Sequence, residues 1–562
     1  MGNLFWNLEL LYFVIMLAVF IVLLLWAKLP AGICLMSSAV VGLAVAAIAH
    51  ADITFDIRYL VEGMFGYLDT ILIITTAMVF IGALQANGAL EYISTILVKA
   101  FGRFPSVLLV ALMIIIMFPA MVTGSSLASA ISVGALVAPI MIKWGIPKNK
   151  TAAIIAMGSI LGMVSPPVNV PAMVICDVVD IPYTGFTAPL LLLSVPVALV
   201  SVILLGRKYV KPLSKEEVDV VVNTSILKEL NWTVCIPLFV FILLIVAEMI
   251  WPMIFGVLAM PAMFVISTIV AFFVGRKRPF WKKPAEGIFT PEKPGSENLV
   301  PDCVIGVIRQ GVSKSLSAMG LLMGVGMFME VLSVNGARGF IVYTAISLPD
   351  VWQYVGMAVS LPLFGGISAF GSASMLGGPF VMALNGVCNS IMVTSGLSLL
   401  AAIGEFSPPT AMSSTFATNI VGEKKWTKTS LAALPALIVA FIYSLIYILL
   451  FARIIQGIPS DSQDMWILIM FAIAFVVAVA FVVVWDILCR SLGILKKHAY
   501  QVPAGGVAVE DVGLVQTEVS SEEGGDPEQT ESEQAEVNDG EAGSEQESTP
   551  AENDTTDSKE GE

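Results

Sequence analysis

Long apolar runs are the feature that most constrains the fold of this chain. Runs of roughly 17–25 apolar residues are long enough to cross about 30 Å of hydrocarbon as a helix. Of the 562 residues, 57% are hydrophobic and 13% are charged, whereas soluble domains are about 45–50% apolar and about 25% charged. The sequence therefore predicts an all-α polytopic membrane protein. The predicted spans are Leu10–Ala27, Ala31–Ala49, Ile71–Ala86, Phe186–Leu205, Thr233–Ile250, Ile254–Val274, Leu316–Val334, Leu431–Phe451 and Trp466–Val484.

Acidic residues are concentrated at the C-terminal end. The formal net charge is −14, yet Pro503–Glu562 alone holds 19 Asp or Glu and one Lys, which leaves the remainder at +4. A segment this charged, with few aromatic residues, cannot bury enough apolar area to fold. It predicts a disordered cytoplasmic tail. No basic patch with interleaved aromatic residues occurs in the sequence, so nucleic-acid binding is excluded.

Cysteine and histidine are sparse. The six cysteines form no CxxC pair and have mostly apolar neighbours, and the two histidines are His50 and His498. Such cysteines are typical of core positions rather than of disulfides or metal ligands. The sequence therefore predicts neither an enzyme nor a resident metal or cofactor.

An internal repeat interrupts the apolar pattern. Three short motifs return in the same order, 242 to 248 positions later, which is the signature of a duplicated unit. The pairs are Ala86-Asn87-Gly88-Ala89 with Val334-Asn335-Gly336-Ala337, Gly124-Ser125-Ser126 with Gly371-Ser372-Ala373-Ser374, and Ser165-Pro166-Pro167 with Ser407-Pro408-Pro409.

The basic residues predict how the repeats are oriented. Lys99 and Arg103 precede the first Gly-Ser segment and Lys143 follows it, and basic residues favour the cytoplasmic side. The segment between them is therefore expected to be a re-entrant hairpin with Gly124-Ser125-Ser126 at its tip. The second hairpin, at about Val351 to Leu384, would enter from the other side, which makes the repeats inverted. The alternative is that each hairpin is two ordinary short spans.

These features divide the chain into six predicted segments. They are 1–66 with N-terminal spans, 67–206 with the first repeat and hairpin, 207–314 with cytoplasmic loops and two linking spans, 315–452 with the second repeat and hairpin, 453–502 with an extra span, and 503–562 with the acidic tail.

The hairpin tips and the Pro-Pro breaks are the candidate sites. Irregular backbone at membrane depth is stable only where it is buried in protein or lines a cavity, and paired broken helices near the midplane are typical of secondary transporters. A hairpin tip presents free N–H groups that suit a carboxylate. Proline interrupts the helical ladder, and the freed carbonyls with nearby hydroxyls suit a small cation such as Na⁺.

The candidates fall into two sets. Those for the substrate are Ser125, Ser126, Asn169, Ser372, Ser374 and Thr410. Those for the cation are Thr123, Gly124, Ser165, Pro166, Ser368, Gly371, Glu405, Ser407 and Pro408. Two alternatives stay open: small residues also serve close helix packing, and Glu405 is either a coupling group or a satisfied buried acid.

The stretch from Gly124-Ser125-Ser126 through Pro139 and Ala152–Gly162 to Ser165-Pro166-Pro167 resembles the large permease subunit of TRAP (tripartite ATP-independent periplasmic) transporters. More broadly, it is similar to the ion transporter superfamily. The resemblance covers roughly Ile71–Phe451, so the extra span and the acidic tail lie beyond it.

This resemblance implies an elevator-type secondary transporter in the inner membrane, with Na⁺ as coupling ion and an organic acid such as a dicarboxylate as substrate. It also implies a small membrane subunit and a periplasmic substrate-binding protein as partners, and a homodimer. The alternatives are a stand-alone symporter or anion exporter without a binding protein and, in another class, an ion channel.

Overall fold

A computed structural model of the chain describes residues 8–49, 56–213, 218, 230–250, 260–275 and 299–491. Regular secondary structure in these ranges is entirely helical. The predicted acidic tail at 503–562 lies outside the described residues, as do residues 1–7 of the N-terminal segment and much of the loop region within 207–314.

Nine helical stretches in the described ranges are long and apolar enough to cross a membrane, which confirms the predicted all-α polytopic fold. The helices are α1 (Leu8–Leu25), α2 (Ala31–Ala49), α3 (Ile57–Phe65), α4 (Leu68–Ala86), α5 (Ala89–Phe101), α6 (Pro105–Thr123), α7 (Ser126–Ser129), α8 (Ala135–Lys143), α9 (Lys148–Met163), α10 (Val170–Val179), α11 (Thr187–Gly206), α12 (Ile236–Ile250), α13 (Met260–Gly275), α14 (Leu299–Val334), α15 (Ala337–Ser347), α16 (Asp350–Gly365), α17 (Ala369–Ser372), α18 (Gly378–Leu384), α19 (Ser390–Ile403), α20 (Met412–Ile420), α21 (Trp426–Ile446), α22 (Ala452–Gln456) and α23 (Ser460–Ser491).

Two helical hairpins share one order of local structures. In the first, α6 leads to an N-cap at Ser125, the short helix α7, a π-helical turn at Ala130–Gly134 and α8. In the second, α16 leads to an N-cap at Ser368, the short helix α17, a π-helical turn at Ala373–Gly377 and α18. The two hairpins are therefore built alike down to the unusual π turn.

Hydrogen bonds from side chains show which residues correspond between the two hairpins. At the end of each short helix a serine donates back to its first arm: Ser129 to the carbonyl of Ile116, and Ser372 to the carbonyl of Leu361 at 2.7 Å. Ser372 is thus the counterpart of Ser129, which lies inside the hairpin.

The tip of the second hairpin is consequently Ser368, and the sequence match that placed Ser372 there was wrong by one helical turn. Ser368 has extended backbone and its hydroxyl accepts from the N–H of Gly371 at 3.2 Å, whereas Ser372 has helical dihedral angles. An N-cap requires a non-helical residue with a side-chain acceptor. Gly371-Ser372 repeats the Gly-Ser pair of the first tip, but only Ser368 has the N-cap geometry.

Each hairpin is followed by a helix that breaks at its Pro-Pro pair, between α9 and α10 and between α19 and α20. Both Pro-Pro peptide bonds are cis. The residue after each Pro-Pro pair donates its backbone N–H to a carbonyl at the end of the first arm of its hairpin. Val168 donates to the carbonyl of Met121 and Thr410 to that of Gly366, both at 3.2 Å. Each break is therefore held against its own hairpin.

The long helix α14 packs on α2, α3 and α4 through backbone contacts at glycine. A Cβ atom at Gly326 would lie 2.0 Å from the carbonyl oxygen of Gly63, and one at Gly324 would lie 2.5 Å from that of Gly32. Small residues allow such approach between membrane helices. The result is a group of helices that is distinct from the two hairpins and forms a wall beside them.

Gly326→Ala is expected to destabilise the protein, because the added methyl group must push α14 away from α3. Overpacking typically costs about 1–3 kcal/mol, so the purified variant should unfold at lower temperature and reach the membrane in smaller amount. Gly320→Ala on the same helix is the matched control, since its Cβ would meet nothing within 4 Å. Equal stability of the two variants would contradict the close contact.

Candidate functional site

The two hairpin tips face one small cavity. The N-cap residues Ser125 and Ser368 both line it, and its volume is about 40 Å³. A single water needs about 10–15 Å³, whereas drug-sized ligands occupy pockets of about 300–1,000 Å³. The cavity therefore has room for a cation with a few waters, and a larger solute requires the tips to separate. Its lining residues are Ser125, Ser126, Leu127, Ser317, Ala318, Leu321, Ile367, Ser368, Ala369, Phe370, Glu405, Thr410 and Met412.

Glu405 is the one acidic side chain among the described residues that line this cavity. The hydroxyl of Ser126 donates to its Oε2 at 2.6 Å, and the hydroxyl of Ser413 donates to the same oxygen. No described residue donates to Oε1. The carboxylate thus joins the tip of the first hairpin to the second broken helix and keeps one oxygen without a hydrogen-bond donor among the described residues.

The backbone around Glu405 is set by a close contact with the second hairpin. Gly404 begins the short 3₁₀ turn that carries Glu405. A Cβ atom at Gly404 would lie 2.4 Å from the carbonyl oxygen of Pro362 and 2.4 Å from the carbonyl carbon of Gly365. Only glycine lets the broken helix approach α16 this closely, so this contact positions the acid between the two hairpins.

Five of the predicted site residues lie at the cavity: Ser125, Ser126, Ser368, Glu405 and Thr410. They come from both hairpins and from the second break. The hydroxyl of Thr410 donates to the carbonyl of Gly366 at 2.8 Å, so its oxygen still has acceptor capacity. The structure therefore brings together residues that the sequence analysis had divided between a substrate site and a cation site.

The predicted residues of the first repeat other than Ser125 and Ser126 are not among the lining residues. The hydroxyl of Thr123 donates to Pro119 at 2.7 Å, and that of Ser165 donates to Leu161 at 2.6 Å. Gly124 has φ of 63°, and a Cβ atom there would lie 2.3 Å from Val170. Pro166 is buried beside them. The two hydroxyls are thus bonded to their own helices, and the close approach of Gly124 to Val170 sets the first hairpin tip against the first break.

The side chain of Asn169 has its hydrogen-bonding groups in use. Its Oδ1 accepts from the N–H of Ala172 at 3.0 Å, and its Nδ2 donates to Val164 at 3.2 Å and to Ser398 at 2.9 Å. Asn169 therefore caps α10 and ties the first break to α19, which belongs to the second repeat.

The remaining candidates of the second repeat also lie outside the lining. Ser374 lies within 3.0 Å of the hydroxyl of Tyr67, and Ser372 bonds within its own hairpin. Gly371 is buried, Ser407 is half-buried and Pro408 is exposed. The second break is thus less enclosed than the first. A binding role for these residues stays a prediction.

Two hydroxyls at the site were not identified from the sequence. Ser413 donates to Glu405 from the first turn of α20, and Ser317 lines the cavity from α14. The available signal for Ser413 was its position eight residues after the acid, on the far side of the break. Ser317 lies at the start of an apolar run, where the pattern did not distinguish it from a packing serine.

Lys314 lies one helical turn before the residues of α14 that line the cavity. It precedes Ser317 and Ala318 on α14 by three and four positions, a spacing that puts side chains on one helix face. Lys314 is half-buried and forms no ion pair with any described residue. The wall opposite the hairpin tips therefore carries, one turn from the lining, a lysine with no ion-pair partner in the described part of the chain.

Paired hairpins and broken helices that meet at a small cavity, here lined by several hydroxyls and one acid, in a multi-pass helical protein are the arrangement typical of secondary transporters. Residues 17–454 match the family described as "Tripartite ATP-independent periplasmic transporter, DctM component". The chain therefore belongs to this family of membrane transporters, which confirms the resemblance to the TRAP large permease. The match ends before α23. Comparison with curated proteins gives no match.

Proposed function

We propose that this protein is the large membrane subunit of a Na⁺-coupled transporter of organic acids, and that the cavity between the hairpin tips is its coupling site. The observation that carries the proposal is the hydrogen bond from the hydroxyl of Ser126, on the first hairpin, to the carboxylate of Glu405, on the second broken helix. A cation at Glu405 would hold both repeats together around the cavity.

Glu405 supplies the negative charge for the cation. Its Oε1 has no described donor, and the hydroxyl oxygens of Ser368 and Thr410 line the same cavity. Hard cations prefer oxygen ligands, and this set contains carboxylate and hydroxyl oxygens only. The residues that would hold Na⁺ are therefore Glu405 with the neighbouring hydroxyl groups of Ser368 and Thr410.

The uncharged remainder of the lining and the nearby Lys314 support an anionic substrate. Apart from Glu405, the described lining residues are uncharged, and Lys314 lies one helical turn from them. Bound Na⁺ would neutralise Glu405, which leaves Lys314 and the hydroxyls of Ser125 and Ser368 to attract and bind a carboxylate. If Na⁺ binds before the carboxylate in this way, substrate binding depends on Na⁺.

The position of the cavity supports an elevator mechanism. One wall belongs to α14, which packs on α2, α3 and α4, whereas the opposite walls belong to the hairpins and the second break. We call the two hairpins and the two broken helices the hairpin group. Sliding of this group along α14 would carry the cavity across the membrane. We further propose an inner-membrane location with a cytoplasmic C-terminus, a small membrane subunit and a periplasmic binding protein as partners, and a homodimer.

The two hairpins are expected to open toward opposite faces of the membrane. Their matched order of elements supports a repeat, and the clustering of basic residues around the first hairpin supports inversion. Phe104 and Val351 begin the two hairpins and are 61% and 70% exposed. In separate Phe104→Cys and Val351→Cys variants, a membrane-impermeant maleimide should label only the first thiol from the cytoplasmic side. Labelling of both from the same side would contradict inversion.

The function is tested by uptake into vesicles that contain the permease together with its small subunit and binding protein, supplied from neighbouring genes. A panel of radiolabelled monocarboxylates and dicarboxylates is offered with an inward Na⁺ gradient or an equal K⁺ gradient. At least one acid should accumulate above equilibrium with Na⁺ only. Accumulation that does not require Na⁺, or passive conductance alone, would refute the proposal.

A further inference from the structure

Helix α23 is outside the part of the chain that matches the family, since the match ends at residue 454 and α23 is Ser460–Ser491. It packs along α11, and α11 in turn contacts α6 and α9 of the first repeat. The appended helix therefore adjoins the helices that carry the first hairpin.

The residue that follows α11, Arg207, carries a buried charge whose partner lies on this appended helix. Arg207 is 1% exposed, and its Nε donates to Oδ1 of Asp486 on α23. Its Nη1 also donates to the carbonyl of Val210 at 3.1 Å. A buried arginine without a counter-charge is strongly unfavourable, so α23 supplies the charge that makes this position of Arg207 stable.

The same ion pair reaches the base of the first hairpin. Ser106, in the first turn of α6, donates to Oδ1 of Asp486 at 3.1 Å and accepts from Nε of Arg207 at 3.1 Å. The other carboxylate oxygen of Asp486 pairs with Arg490 at 2.8 Å, and Lys208 lies over the ring of Trp485 at 5.3 Å. Three helices are thus joined at one point: α6, α11 and α23.

From these contacts we propose that Asp486 is a positioning residue, which fixes the base of the first hairpin and through it the tip that carries Ser126. Helix α6 has 19 residues, which makes an arm of about 28 Å at 1.5 Å per residue. If the base is released, the arm can tilt, and the tip moves relative to Glu405. Helix α23 is then an integral part of the hairpin group and moves with it.

The proposal is tested in the full-length chain with a reporter thiol at the cavity, Leu127→Cys. Leu127 lines the cavity, and the five described native cysteines are buried. Asp486→Asn removes the negative charge at constant size, whereas Asp486→Glu keeps that charge. Arg490→Gln breaks only the exposed ion pair between Arg490 and Oδ2 of Asp486. The rate at which a water-soluble reagent modifies the reporter is compared in these backgrounds, with the parent lacking the reporter as blank.

Asp486→Asn should change the modification rate at least fivefold, whereas Asp486→Glu and Arg490→Gln should stay within twofold of the parent. Rates within twofold in Asp486→Asn would overturn the proposal. So would a lower amount of Asp486→Asn protein whose surviving molecules react at the parental rate, because Asp486 would then be only structural.

An uptake assay of the same variants rests on the proposed function. In this assay, Asp486→Asn should also raise the half-saturating Na⁺ concentration at least fivefold, and Asp486→Glu should show only a small part of this increase. A parent protein without Na⁺-dependent uptake would refute the proposed function. The modification rates would still decide the role of Asp486.

Discussion

Glu405→Gln is expected to raise the Na⁺ concentration for half-maximal uptake at least tenfold, or to abolish Na⁺-dependent uptake. A tenfold change corresponds to about 1.4 kcal/mol of binding free energy. Glutamine keeps the size of the side chain and an oxygen that can accept from Ser126 and Ser413, so the fold should persist. What the variant removes is the negative charge of the cavity. The measurement is initial uptake rate against Na⁺ concentration, at matched amounts of membrane protein.

The matched control for this variant is Glu330→Gln. Glu330 is also an acid within a membrane helix, near the end of α14, and it is not among the residues that line the cavity. Its replacement should leave the Na⁺ dependence within twofold of the wild type. Wild-type Na⁺ dependence in Glu405→Gln as well would identify Glu405 as a satisfied structural acid.

Gly404→Ala is expected to reduce uptake more than tenfold and to lower the unfolding temperature. The new methyl group would lie 2.4 Å from backbone atoms of Pro362 and Gly365, and backbone cannot move aside as the end of a flexible side chain can. The broken helix must therefore separate from α16, at a cost of about 1–3 kcal/mol. This shift displaces Glu405 from Ser126. Uptake and thermal unfolding are measured on the same preparation.

Gly356→Ala is the control on the partner helix. A Cβ at Gly356 would lie 3.4 Å from the ring of Phe380, which is an ordinary van der Waals distance. That variant should resemble the wild type in both measurements. If Gly404→Ala behaves the same way, the close approach of the broken helix to the second hairpin is not required for the site.

Elements governed by local pattern could be predicted from the sequence. The predicted span Ala31–Ala49 has the bounds of α2, and the predicted tip at Ser125 is the N-cap of α7. The predicted span Leu316–Val334 is the C-terminal part of α14, which begins at Leu299. Polar residues such as Arg309 and Lys314 lower the hydropathy there without disfavouring a helix, so the apolar run understated its length.

The candidate site depends on contacts that no local pattern contains. Ser126 and Glu405 are 279 positions apart, and which of many serines meets the acid is decided by how the repeats pack. The two halves of the sequence also differ at the site. The position that corresponds to Ser126 in the second hairpin is Ala369, and the position that corresponds to Glu405 in the first broken helix is Met163. A repeat pattern predicts two equivalent sites, whereas side-chain chemistry allows the acid–serine pair in only one of them.

The central claim is that a cation binds between the hairpin tips at Glu405. It is tested most directly by equilibrium binding of radioactive sodium to the purified protein, which requires neither the substrate nor the partner proteins. The wild type and Glu330→Gln should show the same saturable binding, and Glu405→Gln should lose at least one bound Na⁺ per chain. Equal binding by all three proteins, or no saturable binding to the wild type, would contradict this account.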